Sequence, residues 1–181
     1  MRLLRLFCGV SICAASLLAA GELSGRRAPG FSLPDSSLKQ YDLGDYRGKI
    51  VLLDIMQTAC PHCQTFVRTL EEIKAKYGLK VAILSVVTPP DTIDTVRQFV
   101  TRNFITTPVL FDCGQMAASY MKVTPQNPRI VLPHLFIIDG QGMIRNDYTY
   151  EGNKEIFEGK ALFAELDRML AAPPAAPKKK P

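Results

Sequence analysis

Two cysteines at Cys60 and Cys63, separated only by Pro61 and His62, are the residues of this chain best suited to chemistry. Two thiols at this spacing can open and close a disulfide, provided a helix holds them. Residues at i and i+3 of a helix lie roughly 5–6 Å apart, within reach of a disulfide. The surrounding pattern supplies that helix. From Pro61 onward Phe66, Val67, Leu70, Ile73 and Tyr77 recur at helical spacing. Pro61 suits the first turn, where its missing N–H costs nothing. Cys60 is then at a helix N-terminus, whose free N–H groups and partial positive charge favour a thiolate.

The element before the cysteines is a strand. Ile50 to Met56 is a branched apolar run too short for a helix. A strand leading into C-x-x-C and then a helix is a redox arrangement. The competing readings are half of a zinc site or two buried thiols. Zinc needs two more ligands at suitable spacing. Outside the N-terminal segment only Cys113, His62 and His134 are on offer, with no second paired motif. The chemistry therefore implies no metal and no cofactor beyond the sulfurs themselves.

The chain ends set the compartment. Arg2 and Arg5 precede the apolar stretch Leu6 to Ala20, which ends in Ala19-Ala20-Gly21. This predicts a secretory signal over residues 1–21, cleaved after Gly21. An uncleaved N-terminal anchor is the alternative. Cys8 and Cys13 fall inside this segment, and Val10-Ser11-Ile12 is a poor lipidation context for Cys13. Residues 171–181, rich in Ala and Pro with Lys178, Lys179 and Lys180, read as a disordered tail. The formal net charge of +5 is carried largely by these two ends. The body is close to neutral, which argues against nucleic-acid binding. The mature chain keeps Cys60, Cys63 and Cys113. So few cysteines in an exported protein fit a catalytic disulfide better than a structural framework. Cys113 is expected to be a small buried hydrophobe.

The body, residues 22–170, reads as one domain without repeats. Gly30 to Arg47 is expected as extended segments or a small hairpin before strand Lys49–Met56. Helix Pro61–Tyr77 stops near Gly78. Strand Val81–Val87 stops at Pro89-Pro90. Asp91 is placed to cap a helix running to about Asn103. A short strand Pro108–Phe111 and a helix Gln115–Met121 follow. Strand Leu135–Ile138, the turn Asp139–Gly142 and strand Met143–Tyr148 form a hairpin. A helix from about Glu155 to Leu170 closes the body. This order predicts an α/β fold with a central mixed sheet and helices on both faces.

These residues resemble the exported TlpA/ResA-type thiol-disulfide oxidoreductases, thioredoxin-fold relatives of the peroxiredoxin (AhpC/TSA) superfamily. The resemblance rests on A-P-x-F-x-L-P-D at Ala28–Asp35, D-Y-R-G-K at Asp45–Lys49, then the apolar strand and C-x-x-C. A second stretch, Phe111 to Gly142, adds an Asp after a strand, a helix ending in Tyr120, and V-L-P-H-L-F-I-I-D-G-Q-G. The resemblance implies a thioredoxin fold with an N-terminal extended or hairpin extension. It implies that Cys60 attacks and Cys63, buried, resolves. It matches Pro133 to a cis-proline facing the disulfide, where a substrate strand docks; an ordinary trans proline opening a strand is the alternative. Asp54, six residues before Cys60, matches a buried acid that exchanges protons with Cys63. Its alternative is an Asp at a frayed strand end, satisfied by backbone.

The chain departs from the pattern in two places. Ala59 stands where a Trp is usual, and Ile55-Met56 replace an aromatic pair. His134 follows the proline where Thr is common. It either stabilises a Cys60 thiolate or fills a half-exposed strand position. Pro61-His62 resembles strongly oxidising DsbA-type proteins, since His62 beside Cys60 would raise the potential. Asp54 and the TlpA-like frame resemble reductants. The direction of electron flow stays open on sequence grounds. The implied partners are protein thiols or disulfides and a membrane or periplasmic electron-transfer protein. The implied location is the periplasm, free or anchored.

Two other functions compete. A thiol peroxidase needs Thr or Ser three residues before its Cys, but Gln57 and Cys60 occupy those positions. An SCO-like copper chaperone would use two Cys and a distant His such as His134, but spaces its cysteines differently.

Overall fold

The computed structural model describes residues 21–172. The expected signal segment up to Ala20, with Cys8 and Cys13, lies outside the described residues, as does the tail from Pro173. No helix of the described residues is long and apolar enough to cross a membrane.

Among the described residues, seven strands and five α-helices follow one another. A hairpin of β1 (Ser32–Pro34) and β2 (Gln40–Asp42) leads through one 3-10 turn, Leu43–Tyr46, into β3 (Ile50–Met56). Then come α1 (Pro61–Tyr77), β4 (Val81–Val87), α2 (Ile93–Arg102), β5 (Val109–Phe111) and α3 (Gln115–Met121). The chain ends with β6 (His134–Ile138), β7 (Ile144–Thr149), α4 (Lys154–Phe157) and α5 (Lys160–Ala171).

The main sheet has the order β5-β4-β3-β6-β7. β3, β4 and β5 run parallel, and β6 and β7 run antiparallel to their neighbours. β3 is central and every one of its residues is buried. That is why its sequence is apolar at every position but Asp54, rather than alternating. Its side chains still alternate between faces. Leu52 packs with Phe66, Leu70 and Ile73 of α1 and with Leu162 and Leu166 of α5. Leu53 and Ile55 pack on the other face with Tyr120 of α3 and Phe136 of β6. Helices thus cover both faces, and the β1–β2 hairpin leans on the α3 side through Leu33 and Tyr41.

Three expectations are corrected. The last helix is two helices, broken at Glu158-Gly159. Gly159 has φ +100°, and a Cβ there would come within 3.0 Å of Thr69 Cγ2. The break lets the chain cross close over α1, where Thr69 Oγ1 donates to the Phe157 carbonyl at 3.2 Å. Asp91 does not cap α2. Thr92 does, in a reciprocal pair with Thr95, a capping box in the usual sense. Cys113 is exposed, not buried. Its neighbour Asp112 turns inward instead and accepts the N–H groups of Met116 at 3.1 Å and Ala117 at 2.8 Å. That cap on α3 leaves Cys113 pointing outward.

Candidate active site

The C-terminal end of β3 delivers the chain to the cysteines. Cys60 is the N-cap of α1 and Pro61 occupies its first turn. The Cys60 sulfur accepts the backbone N–H of Cys63 at 3.4 Å. The sulfur thus stands at the positive end of the helix. Cys60 is partly exposed and Cys63 is buried, and both are free thiols. Cys63 sits among Met56, Val67, Val87, Val96 and Phe99. One sulfur is thus open to a partner while the other is held in a dry pocket behind it.

Asp54 is close enough to Cys63 for its charge to act on that thiol. It shares the α1 face of β3 with Leu52 and Met56, by strand alternation. It is fully buried at 0% exposure. Neither carboxylate oxygen has a hydrogen bond of good geometry among the described residues. Ser85, opposite it in the β3–β4 ladder, is the polar group that offsets part of its burial. Desolvation wins, and the Asp54 carboxyl is pushed up to about 7. The same burial pushes the Cys63 thiol strongly up, and the Asp54 charge raises it further. The acid and the buried thiol are therefore electrostatically joined. The reading of Asp54 as a backbone-satisfied residue at a frayed strand end does not match its place mid-strand.

The Leu132–Pro133 peptide is cis. It precedes β6, whose first residue His134 pairs with Ile55 near the end of β3. Leu132 and Cys60 pack against the same apolar cluster. Pro133 thus stands at the sheet end that carries Cys60.

The two histidines behave differently from expectation. His134 is neither beside Cys60 nor half-exposed. It is 4% exposed, its ring stacks on Phe136 with centroids 4.4 Å apart, and its Nε2 is 3.4 Å from Asp147 Oδ2. Phe136 faces away from α1, so His134 is on the opposite face of the sheet from Asp54 and Cys63. The two cysteines and this histidine do not form one ligand set. His62 is exposed, and its ring stacks on Tyr150 at 3.7 Å between centroids and 15° between planes.

Sequence reasoning missed the groups that hold the Gln57–Ala59 segment. Thr58 donates its N–H to Asp91 Oδ2 at 2.8 Å, and Gln57 Nε2 donates to the Pro89 carbonyl at 2.7 Å. A second cis peptide, Pro89–Pro90, lies in that loop. It also missed Tyr150, which no motif marks. Ala59 is exposed.

Comparison with known proteins agrees with this geometry. The AhpC/TSA family model matches residues 24–147. Thiol-disulfide oxidoreductase ResA of Bacillus thuringiensis (strain Al Hakam) is 30% identical over 135 residues, covering 75% of this chain and 75% of its own. Thioredoxin-like protein YneN of Bacillus subtilis (strain 168) is 28% identical over 142 residues, covering 77% and 79%. A solved structure of a putative thioredoxin from Neisseria meningitidis superposes with a TM-score of 0.63 at 26% identity, over 79% of this chain and 89% of that one. A putative thiol:disulfide interchange protein DsbE from Chlorobium tepidum does so at 0.63 and 24% identity, over 78% and 96%, a likeness of fold. The chain belongs to the AhpC/TSA family and is one of its thioredoxin-like thiol-disulfide oxidoreductases.

Proposed function

We propose that Cys60 and Cys63 are the redox pair, that Cys60 is the attacking thiol and Cys63 the resolving one, and that the protein acts as an electron donor to protein disulfides. The observation that carries this reading is the buried Cys63, electrostatically joined to the buried Asp54, behind a partly exposed Cys60. The Cys60 thiolate attacks a substrate disulfide, forming a mixed disulfide and releasing one substrate sulfur, which takes up a proton. Cys63 gives its proton to the Asp54 carboxylate and attacks the Cys60 sulfur. The second substrate sulfur leaves and is protonated. Two electrons have passed, and Cys60–Cys63 is now the disulfide. The place of Pro133 at the Cys60 end of the sheet supports reading the Val131–Pro133 segment as the docking place of a substrate strand.

The buried acid Asp54 beside Cys63, and the ResA-like frame around the pair, support the donor direction. His62, the group that suggested an oxidant, has its ring stacked on Tyr150. Equilibration with glutathione measures the result. A potential near thioredoxin's, about −270 mV, is expected; one near DsbA's, about −120 mV, makes the protein an oxidant.

We also infer that the domain works outside the cytoplasm, in the periplasm, after cleavage at Gly21. The positive n-region, the apolar stretch and Ala19-Ala20-Gly21 support it. The folded domain begins at once after that site, since Leu23 N–H donates to Asp147 Oδ1 at 3.1 Å. N-terminal sequencing of the native protein should start at Glu22. A chain starting at Met1 in the membrane fraction means a tethered domain instead.

A further inference from the structure

The segment between β3 and the first cysteine carries no large side chain to wedge it in place. It is held by polar bonds to the loop after β4. Asp91 is the centre of that contact. Its Oδ2 accepts the Thr58 N–H at 2.8 Å. Its Oδ1 accepts the Thr58 hydroxyl and the Thr95 hydroxyl at 3.0 Å. The Asp91 N–H in turn donates to the Thr88 carbonyl at 3.2 Å. Gln57 Nε2 reaches the Pro89 carbonyl at 2.7 Å and Thr88 Oγ1 at 3.3 Å. From α1, Gln64 Nε2 donates to the Thr58 carbonyl at 2.8 Å. The Cys60 N–H donates to the Gln57 carbonyl at 3.1 Å, closing the turn that presents the sulfur.

We propose that Asp91 is a positioning residue for Cys60. Its carboxylate takes both donors of Thr58 and so fixes the turn on which the Cys60 sulfur stands above the end of α1. Asp91 was free for this because Thr92 caps α2. A carboxylate accepting two or more hydrogen bonds holds a loop better than neutral partners do. Small displacements of a reacting atom lower rates strongly. The clamp also links the redox turn to α2 through the Thr95 hydroxyl.

This inference rests on Cys60 being the attacking thiol. The test compares wild type with Asp91→Ala, Asp91→Asn and Thr58→Val. Three quantities are measured: the rate at which Cys60 forms a mixed disulfide with a disulfide-containing peptide, the equilibrium of the pair with glutathione, and thermal unfolding. Asp91→Ala should slow attack about tenfold and shift the glutathione equilibrium by about threefold or more. Asp91→Asn can still accept the Thr58 N–H through its amide oxygen and should recover to within about twofold of wild type. Thr58→Val keeps shape and the N–H, loses one bond, and should fall between them; it serves if Asp91→Ala does not fold. A wild type that cycles, with all three variants matching it in rate and equilibrium and differing only in melting temperature, overturns the inference. A wild type that forms no Cys60–Cys63 disulfide overturns the assignment of the pair instead.

Discussion

Cys63→Ser accumulates partner proteins joined through Cys60, and Cys60→Ser accumulates none. The expectation follows from the unequal placement of the two sulfurs. Cys60 is partly exposed, at the end of α1, and accepts the Cys63 N–H. Cys63 is fully buried behind it, its thiol pushed strongly up by burial and by Asp54. Of the two, only Cys60 can meet a disulfide on another protein, because exchange needs an accessible thiolate. With Cys63→Ser the first exchange proceeds, and the serine hydroxyl cannot displace the Cys60 sulfur. The mixed disulfide then persists until an outside thiol cleaves it. The difference between the variants should be nearly all-or-none on a non-reducing gel of the native compartment. The variants share one more thiol, the exposed Cys113. A Cys113→Ser background removes it as a source of adducts. Equal trapping by both variants in that background, or trapping by Cys60→Ser alone, means the roles are reversed or absent.

Local signals carried much of the fold. The bounds of α1 and of α3 match expectation, and α1 shows why. Pro61 opens it and Gly78 closes it, both within the helix's own sequence. β4 ends where Pro89-Pro90 cannot continue it. The placing of the two cysteines at the start of a helix was legible for the same reason: it is written in four consecutive residues after a strand. What was not legible depends on partners far along the chain. Asp91 and Thr92 are both good caps by type. Only the presence of Thr58, 33 residues earlier, decides which of them faces the cysteine turn. The break at Gly159 depends on Thr69 of α1. The place of Cys113 depends on which of two neighbours turns inward to cap α3. His134 is different, since its place was readable. It shares strand parity with Phe136 and Ile138, so the alternation of β6 alone puts it on their face.

Asp54→Asn separates a working acid from a structural one, and stability and kinetics should move in opposite directions. The folded carboxyl sits at about 7 against an ordinary 3.8. Between roughly pH 4 and 7 the folded protein therefore holds a proton that the unfolded chain has lost. Stability must fall as pH rises through that window and level off above it. The full difference corresponds to about 4 kcal/mol at about 1.4 kcal/mol per unit, an upper figure because relaxation around a buried charge lowers the real penalty. The asparagine variant has no charge to bury. Its stability should be flat across the window and higher than wild type at pH 8. Attack by Cys60 should be unchanged, because the helix end and not Asp54 supports that sulfur. Resolution should slow about tenfold, as Cys63 loses its nearest proton acceptor. In wild type the rate of resolution should climb as pH passes about 7, where Asp54 becomes able to accept a proton, and the variant should lack that rise. Stopped-flow measurement of the two steps from pH 5 to 9, with denaturant unfolding at each pH, reads both quantities on the same samples. Unchanged resolution together with lowered stability would make Asp54 a structural residue, and the proton leaving Cys63 would then have to go directly to solvent through the open side of Cys60.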